Sequence, residues 1–220
     1  MDGTLVDTEP YWVEAEFALA ERHGGTWSHE HALNLVGNDL LDSGHYIREH
    51  MGIDVEPAAI VDELLDDVVR AVEQSVPWRP GARELLESLV RGGVPCALVT
   101  MSYRRFVDPI LAGLPLGTFT EIVTGDAVTH GKPHPEPDLL AAARLELAPE
   151  DCLAIEDSEP GATSAVAAGC PTLVVPHHVP VAAGPGRVHG ETLVGVDRTR
   201  LRVLAGEARK FVRMPLPIED

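Results

Sequence analysis

Lysine is nearly absent from this sequence. Of 220 residues, 17 are Lys or Arg, and only Lys132 and Lys210 are lysines. Against 35 Asp and Glu, the formal net charge is −18. That balance argues against a nucleic acid or an anionic membrane surface as the main partner. It does not exclude an anionic substrate, because a metal ion or a single lysine inverts the field inside a cleft. Cysteine is scarce too: Cys96, Cys152 and Cys170 are odd in number and far apart, and each sits beside an apolar run. No CxxC or Cys/His metal spacing occurs, so they read as core thiols in a reducing compartment. The sequence also lacks a charged leader with an apolar stretch behind it, a long uncharged apolar run, an internal repeat and a low-complexity tract. A cytoplasmic location is the expectation.

What is present reads as two kinds of chain. The hydrophobic content, 45%, is ordinary for a globular protein, and the length suits one core domain with a smaller insert. Residues 9 to 23 have helical spacing, with Pro10 in the first turn and Trp12, Ala15 and Leu19 on one face, stopped by Gly24-Gly25. Shorter helical patterns follow around 30–36 and 40–50. Residues 56–74 carry Ile60, Leu64, Val68 and Val72 at four-residue intervals. Nothing between 10 and 76 reads as a strand, so this block is expected to be a helical domain of its own.

From Pro77 onward short apolar runs alternate with helical patterns. Runs at 94–99, 121–123, 152–155 and 173–175 are predicted strands. Helices are predicted at 83–91, 103–111, 137–147, 161–168 and 198–211. That alternation predicts an α/β fold with a mainly parallel sheet, whose chemistry sits beyond the carboxyl ends of the strands. Residues 176–190, rich in Pro, Gly and His, read as a surface loop, and 192–196 as a further short strand.

Four segments carry candidate chemistry. Glu156-Asp157 at a strand end are paired carboxylates suited to a hard cation such as Mg²⁺; the alternative is that Asp157 or Ser158 caps the helix opened by Pro160-Gly161. Lys132 lies in Gly-Lys-Pro-His-Pro-Glu-Pro, stiffened by prolines, where a fixed ammonium suits a phosphate oxygen or a carboxylate nucleophile. Thr100, closing Ala97-Leu98-Val99, offers a hydroxyl and neighbouring amides to an anion. Asp2-Gly3-Thr4, alone, would be a turn; its order and spacing relative to the other three make it more specific.

With these four motifs in this order, the chain resembles the haloacid dehalogenase superfamily of phosphohydrolases over essentially its whole length. Within it, the likeness is to the β-phosphoglucomutase-like and phosphoglycolate-phosphatase-like branch with a helical cap. The resemblance implies a Rossmann-like core over residues 1–9 and 77–220, a cap over 10–76, and Mg²⁺ as cofactor. It implies catalytic roles for Asp2, as acid/base, and Lys132. It also implies phosphate contacts from Gly3, Thr100, Met101 and Lys132, and metal binding by Asp2 (through its carbonyl), Glu156 and Asp157. The partner implied is a small phosphorylated metabolite, on a monomer or weak dimer.

The family motif is Asp-x-Asp-Gly-Thr, and its first Asp is the nucleophile that becomes phosphorylated. Here Met1 matches the x, so the nucleophile and the central first strand would lie immediately before Met1. Either the reading frame starts upstream or the chain begins at Met1; the expectation is the former. A sheet without its central strand leaves buried backbone groups unpaired, at about 1–3 kcal/mol each against a total stability of about 5–15.

Within the family, the absence of a cap lysine disfavours the phosphonate-hydrolysing branch. The acidic pair disfavours dehalogenases. Mutases carry a histidine where this chain has Trp12, and an arginine where Asn38 to Leu41 offers none, so phosphatase activity is expected, with a sugar-phosphate mutase as the alternative. A non-catalytic binding protein is the rival from another class. The cap histidines are expected to be surface or cap-interface groups, with substrate contact by one of them as the alternative; His177-His178 has no matching ligand spacing, and Trp12 and Trp27 are expected to be packing residues.

Overall fold

The computed structural model describes residues 1–212. Its first half is helical: α1 (Glu9–His23), α2 (His29–Leu33), α3 (Leu40–Met51) and α4 (Pro57–Gln74). Helix α4 buries the row Ile60, Leu64, Leu65, Val68 and Val72 against α1 and α3, as its four-residue apolar spacing dictates. Asp39 caps α3 by accepting from the Leu41 and Asp42 amides, satisfying donors a helix start leaves unpaired.

The second half alternates strands and helices. In chain order it comprises α5 (Ala82–Arg91), β1 (Ala97–Val99), α6 (Arg104–Leu111), β2 (Glu121–Val123), α7 (Glu136–Arg144), β3 (Ala154–Glu156), α8 (Glu159–Ala168), β4 (Thr172–Val174), β5 (Arg187–His189) and α9 (Arg198–Val212). All pairings between these strands are parallel: β1 with β2, β3 with β4, and β4 with β5. The fold is thus the expected Rossmann-like α/β core.

Two sequence expectations fail. Residues 192–196 form no strand, because Gly195 takes φ +74, which ends any extended run. Instead Arg187–His189, inside the expected surface loop, is an edge strand, pairing Arg187 with Thr172 and His189 with Val174.

The five strands form two sheets, β1–β2 and β3–β4–β5. Between β1 and β3 lies a slot of about 500 Å³, reached by Met1, Thr4 and Leu5 at one end and walled by leucines and alanines of α5 and α7. The segments joining the two halves of the molecule run side by side. The Asp7 amide donates to the Pro77 carbonyl at 2.8 Å, and the Arg79 amide to the Leu5 carbonyl at 2.8 Å.

Candidate active site

The residues singled out in the sequence meet at one cleft. Met1, Asp2, Gly3, Thr100, Met101, Lys132, Glu156 and Asp157 all line it. β1 and β3 end at Val99 and Glu156, which delivers Thr100 and the acidic pair to the carboxyl edge of their sheets, where parallel sheets place their ligands.

Asp2 is held by hydroxyls. Thr8 Oγ1 donates to its Oδ1 at 2.5 Å, Ser102 Oγ to its Oδ2 at 2.7 Å, and Thr100 Oγ1 to Oδ2 at 3.4 Å. Thr100 Oγ1 in turn accepts from the Ser102 amide at 3.1 Å. The carboxylate therefore has a fixed orientation, which an acid/base group requires.

Lys132 is only 8% exposed. Its ammonium donates to Glu156 Oε1 and, at 3.2 Å, to the Val99 carbonyl. Burial alone would lower its pKa, but the charges of Glu156 and Asp138 and the bond to Glu156 outweigh this and raise it. The side chain stays cationic inside the cleft. Met101 contributes differently from the other lining residues: its side chain is buried, and its sulfur accepts from the Lys132 amide at 3.1 Å. It braces the lysine loop.

Asp157 faces the Asp2-Gly3-Thr4 turn. Thr4 Oγ1 donates to its Oδ1 at 2.7 Å, and its Oδ2 lies so close to Gly3 that a Cβ there would come within 1.9 Å. Gly3 also has φ +66, so the position demands glycine for backbone and space alike. Burial first, then the neighbouring Glu156 charge, pushes the Asp157 carboxyl up to about 6. Two buried carboxylates, with Asp157 Oδ2 free of hydrogen bonds among the described residues, are a set of hard oxygen donors whose charge calls for a cation. The donor chemistry fits Mg²⁺. The capping alternative falls to a neighbour: Ser158, rather than Asp157, caps α8 by accepting from the Gly161 amide.

Several residues at the site were not legible. Nothing local in the sequence marks Ser102, whose partner Asp2 lies 100 positions away. Asp138 is buried behind Lys132 and accepts from Ser164 Oγ at 2.5 Å. Glu9 and Glu16 line the cleft from α1, as does Trp12, which also packs edge-on against Phe106. His178, for which the sequence offers no matching ligand spacing, lines the cleft, and both it and His177 reach Asp7 Oδ1, at 2.7 and 3.1 Å.

Residues 1–175 match the family described as haloacid dehalogenase-like hydrolase. The chain belongs to that family. Hexitol phosphatase A of Escherichia coli (strain K12) is 34% identical over 180 residues, covering 80% of each chain. The bifunctional riboflavin kinase/FMN phosphatase of Arabidopsis thaliana is 33% identical over 181 residues; 80% of this chain matches, but that spans only 47% of the relative's length. Among solved structures, CbbY from Rhodobacter sphaeroides in complex with phosphate superimposes with a TM-score of 0.82 at 25% identity. That match covers 92% of this chain and 96% of CbbY. As a haloacid dehalogenase-like hydrolase, the protein is an enzyme. No helix among its described residues is long and apolar enough to cross a membrane.

Proposed function

We propose that this hydrolase is a Mg²⁺-dependent phosphatase of a small phosphorylated metabolite, with residues 10–76 acting as a cap over a core of residues 1–9 and 77–220. The observation that carries the reading is the convergence of Asp2, Thr100, Lys132, Glu156 and Asp157 on one cleft. Hexitol phosphatase A and the phosphate-bound CbbY structure support it by name and ligand.

In this reading Thr100 and Lys132 receive the phosphoryl oxygens, and Asp2 gives a proton to the leaving oxygen and later takes one from water. The Asp2 carbonyl, Glu156 and Asp157 would hold Mg²⁺, which when bound neutralises phosphate charge. Helices α1 and α3 line the cleft opposite the sheet edge, and in this reading their closure over bound substrate excludes water. The attacking carboxylate is assigned to a residue directly ahead of Met1, on an extended strand that fills the apolar slot between β1 and β3. Support for that strand comes from the slot itself, which is walled by two strands whose facing edges pair with nothing among the described residues.

The test is p-nitrophenyl phosphate hydrolysis, with and without Mg²⁺, by the chain extended upstream in frame. The reading expects Mg²⁺-dependent turnover that Asp2→Asn lowers by at least about 100-fold. A folded, Mg²⁺-binding chain that turns over no phosphorylated compound would favour a binding protein instead.

A further inference from the structure

The two histidines that follow β4 take no part in the phosphoryl chemistry, yet they close on a single atom. His177 Nε2 lies 3.1 Å and His178 Nε2 2.7 Å from the same Asp7 Oδ1. Their rings stand 4.1 Å apart, tilted by 56°. Neighbouring side chains on an extended chain point to opposite faces. Here they converge, because the chain bends at His178 and Val179, between Pro176 and Pro180, which stiffen the loop on both sides. The imidazoles are 26% and 28% exposed, so an ion can reach them from solvent while the protein holds them.

Asp7 stands where the chain leaves the Asp2-Gly3-Thr4 turn for α1. Its amide is tied to the Pro77 carbonyl at 2.8 Å, on the second crossing between the two halves. The histidine loop is anchored in the β3–β4–β5 sheet, where the Val175 amide donates to the Glu156 carbonyl at 2.7 Å. The cluster therefore clasps that sheet to the segment leading into the helical half. Its three ligand atoms lie within 4.8 Å of one another. Tetrahedral zinc, with bonds of about 2.0–2.1 Å, puts ligand atoms about 3.3 Å apart, so relative shifts of about 1.5 Å at most admit the ion. Two imidazoles, one carboxylate and a water complete such a site.

A second trio, His130, His134 and Glu136, is also close-set, but its parts are engaged. Both Glu136 oxygens accept backbone amides, from Thr129 at 2.7 Å and His130 at 3.1 Å, and His134 Nδ1 accepts from the Glu136 amide at 3.2 Å. The side chains of Asp7, His177 and His178 bond only to one another among the described residues. The Arg79 charge opposes a cation at His177, but its guanidinium is committed to the Gly3 carbonyl. Asp2, Glu9 and Asp157 line the same cleft as His178, so the surroundings are acidic.

We propose that Asp7, His177 and His178 form a second metal site, separate from the Glu156-Asp157 donors, that takes a borderline divalent ion such as Zn²⁺. Imidazole nitrogens select ions of that class over Mg²⁺, which keeps to oxygen ligands. Bound there, the ion replaces two hydrogen bonds with three coordinate bonds and fastens the loop after β4 to the crossing at Asp7. The site is independent of the phosphatase reading, since none of its ligands is assigned to that reaction.

The test is a calorimetric Zn²⁺ titration of the chain extended upstream in frame, with Mg²⁺ in millimolar excess to fill the acidic pair. One Zn²⁺ per chain is expected to bind and to raise the melting temperature. His177→Ala/His178→Ala is expected to weaken that binding by at least about 100-fold, since even outer-shell partners of a metal ligand are worth about 10–100-fold. His130→Ala/His134→Ala should leave it unchanged. Zn²⁺ binding that survives the loss of His177 and His178 overturns the proposal, and so does a wild-type chain that binds no Zn²⁺ beside Mg²⁺. If His177→Ala/His178→Ala does not fold, the wild-type chain loaded with Cu²⁺ decides. Bound copper with ascorbate oxidises the side chains beside it, and peptide mass spectrometry is expected to find that damage at His177 and His178. Damage at His130 and His134 alone overturns the site.

Discussion

Thr4 Oγ1 donates a 2.7 Å hydrogen bond to Asp157 Oδ1, joining residues 153 positions apart. It ties the N-terminal turn to the end of β3 and leaves Asp157 Oδ2 pointing at the turn. Removing the hydroxyl would unpair a buried carboxylate oxygen and free the carboxylate to rotate. Thr4→Val is expected to weaken Mg²⁺ binding by about 10-fold or more, read by calorimetric titration and by the Mg²⁺ concentration giving half-maximal activity. Unchanged Mg²⁺ affinity would separate Thr4 from the metal site.

Ser102 acts through Asp2, so its effect should depend on the leaving group. Ser102→Ala is expected to lower kcat for an alkyl phosphate by about 10-fold, because such an alkoxide must be protonated as it departs. For p-nitrophenyl phosphate, whose leaving group is stable as an anion, the loss should be smaller. Equal losses for both substrates would place Ser102 elsewhere in the mechanism.

Lys132 and Glu156 form a buried ion pair. Removing the ammonium with Lys132→Met leaves a carboxylate without its partner, at a cost of about 3–5 kcal/mol. Lys132→Met/Glu156→Leu, which removes both charges, should recover much of that stability without recovering activity. Urea unfolding of the two variants measures the difference.

Glu16 sets a pH dependence of stability. Its carboxyl lies at about 7 in the folded protein against an ordinary 4.5. Across that window the folded state keeps a proton that the unfolded chain has released, so stability falls as pH rises through it and remains lower above. The full effect is on the order of 3 kcal/mol. Glu16→Gln should flatten this part of the profile, seen by comparing urea midpoints at about pH 5 and about pH 8.

Sequence reasoning singled out residues that converge at one end of the cleft and passed over those that line it from α1. Thr100, Lys132 and Glu156-Asp157 were legible because each follows an apolar run or sits in a proline-stiffened loop, and strand ends converge in a parallel sheet. Glu9 and Glu16 were not, because a carboxylate on an amphipathic helix ordinarily marks its solvated face. α1 packs against α4 and also lines the cleft, so Glu16 is buried and Glu9 half-buried. Ser102 was hidden because nothing local marks a hydroxyl whose partner is the second residue of the chain. Edge strand β5 was missed because Arg187-Val188-His189 carries one apolar residue and takes its extended form from pairing with β4. Residues 192–196 have apolar composition without the geometry, since Gly195 turns the chain back.

The central claim is that a carboxylate ahead of Met1 takes the phosphoryl group while Asp2 handles protons. Blocking the second step should expose the first. In the chain extended upstream in frame, Asp2→Asn treated with p-nitrophenyl phosphate and Mg²⁺ should accumulate one phosphoryl group per molecule. Mass spectrometry of acid-quenched peptides should place it on the aspartate directly preceding Met1. A phosphoryl group found on any other residue, or single-turnover hydrolysis with none on the protein at any time, would contradict the account.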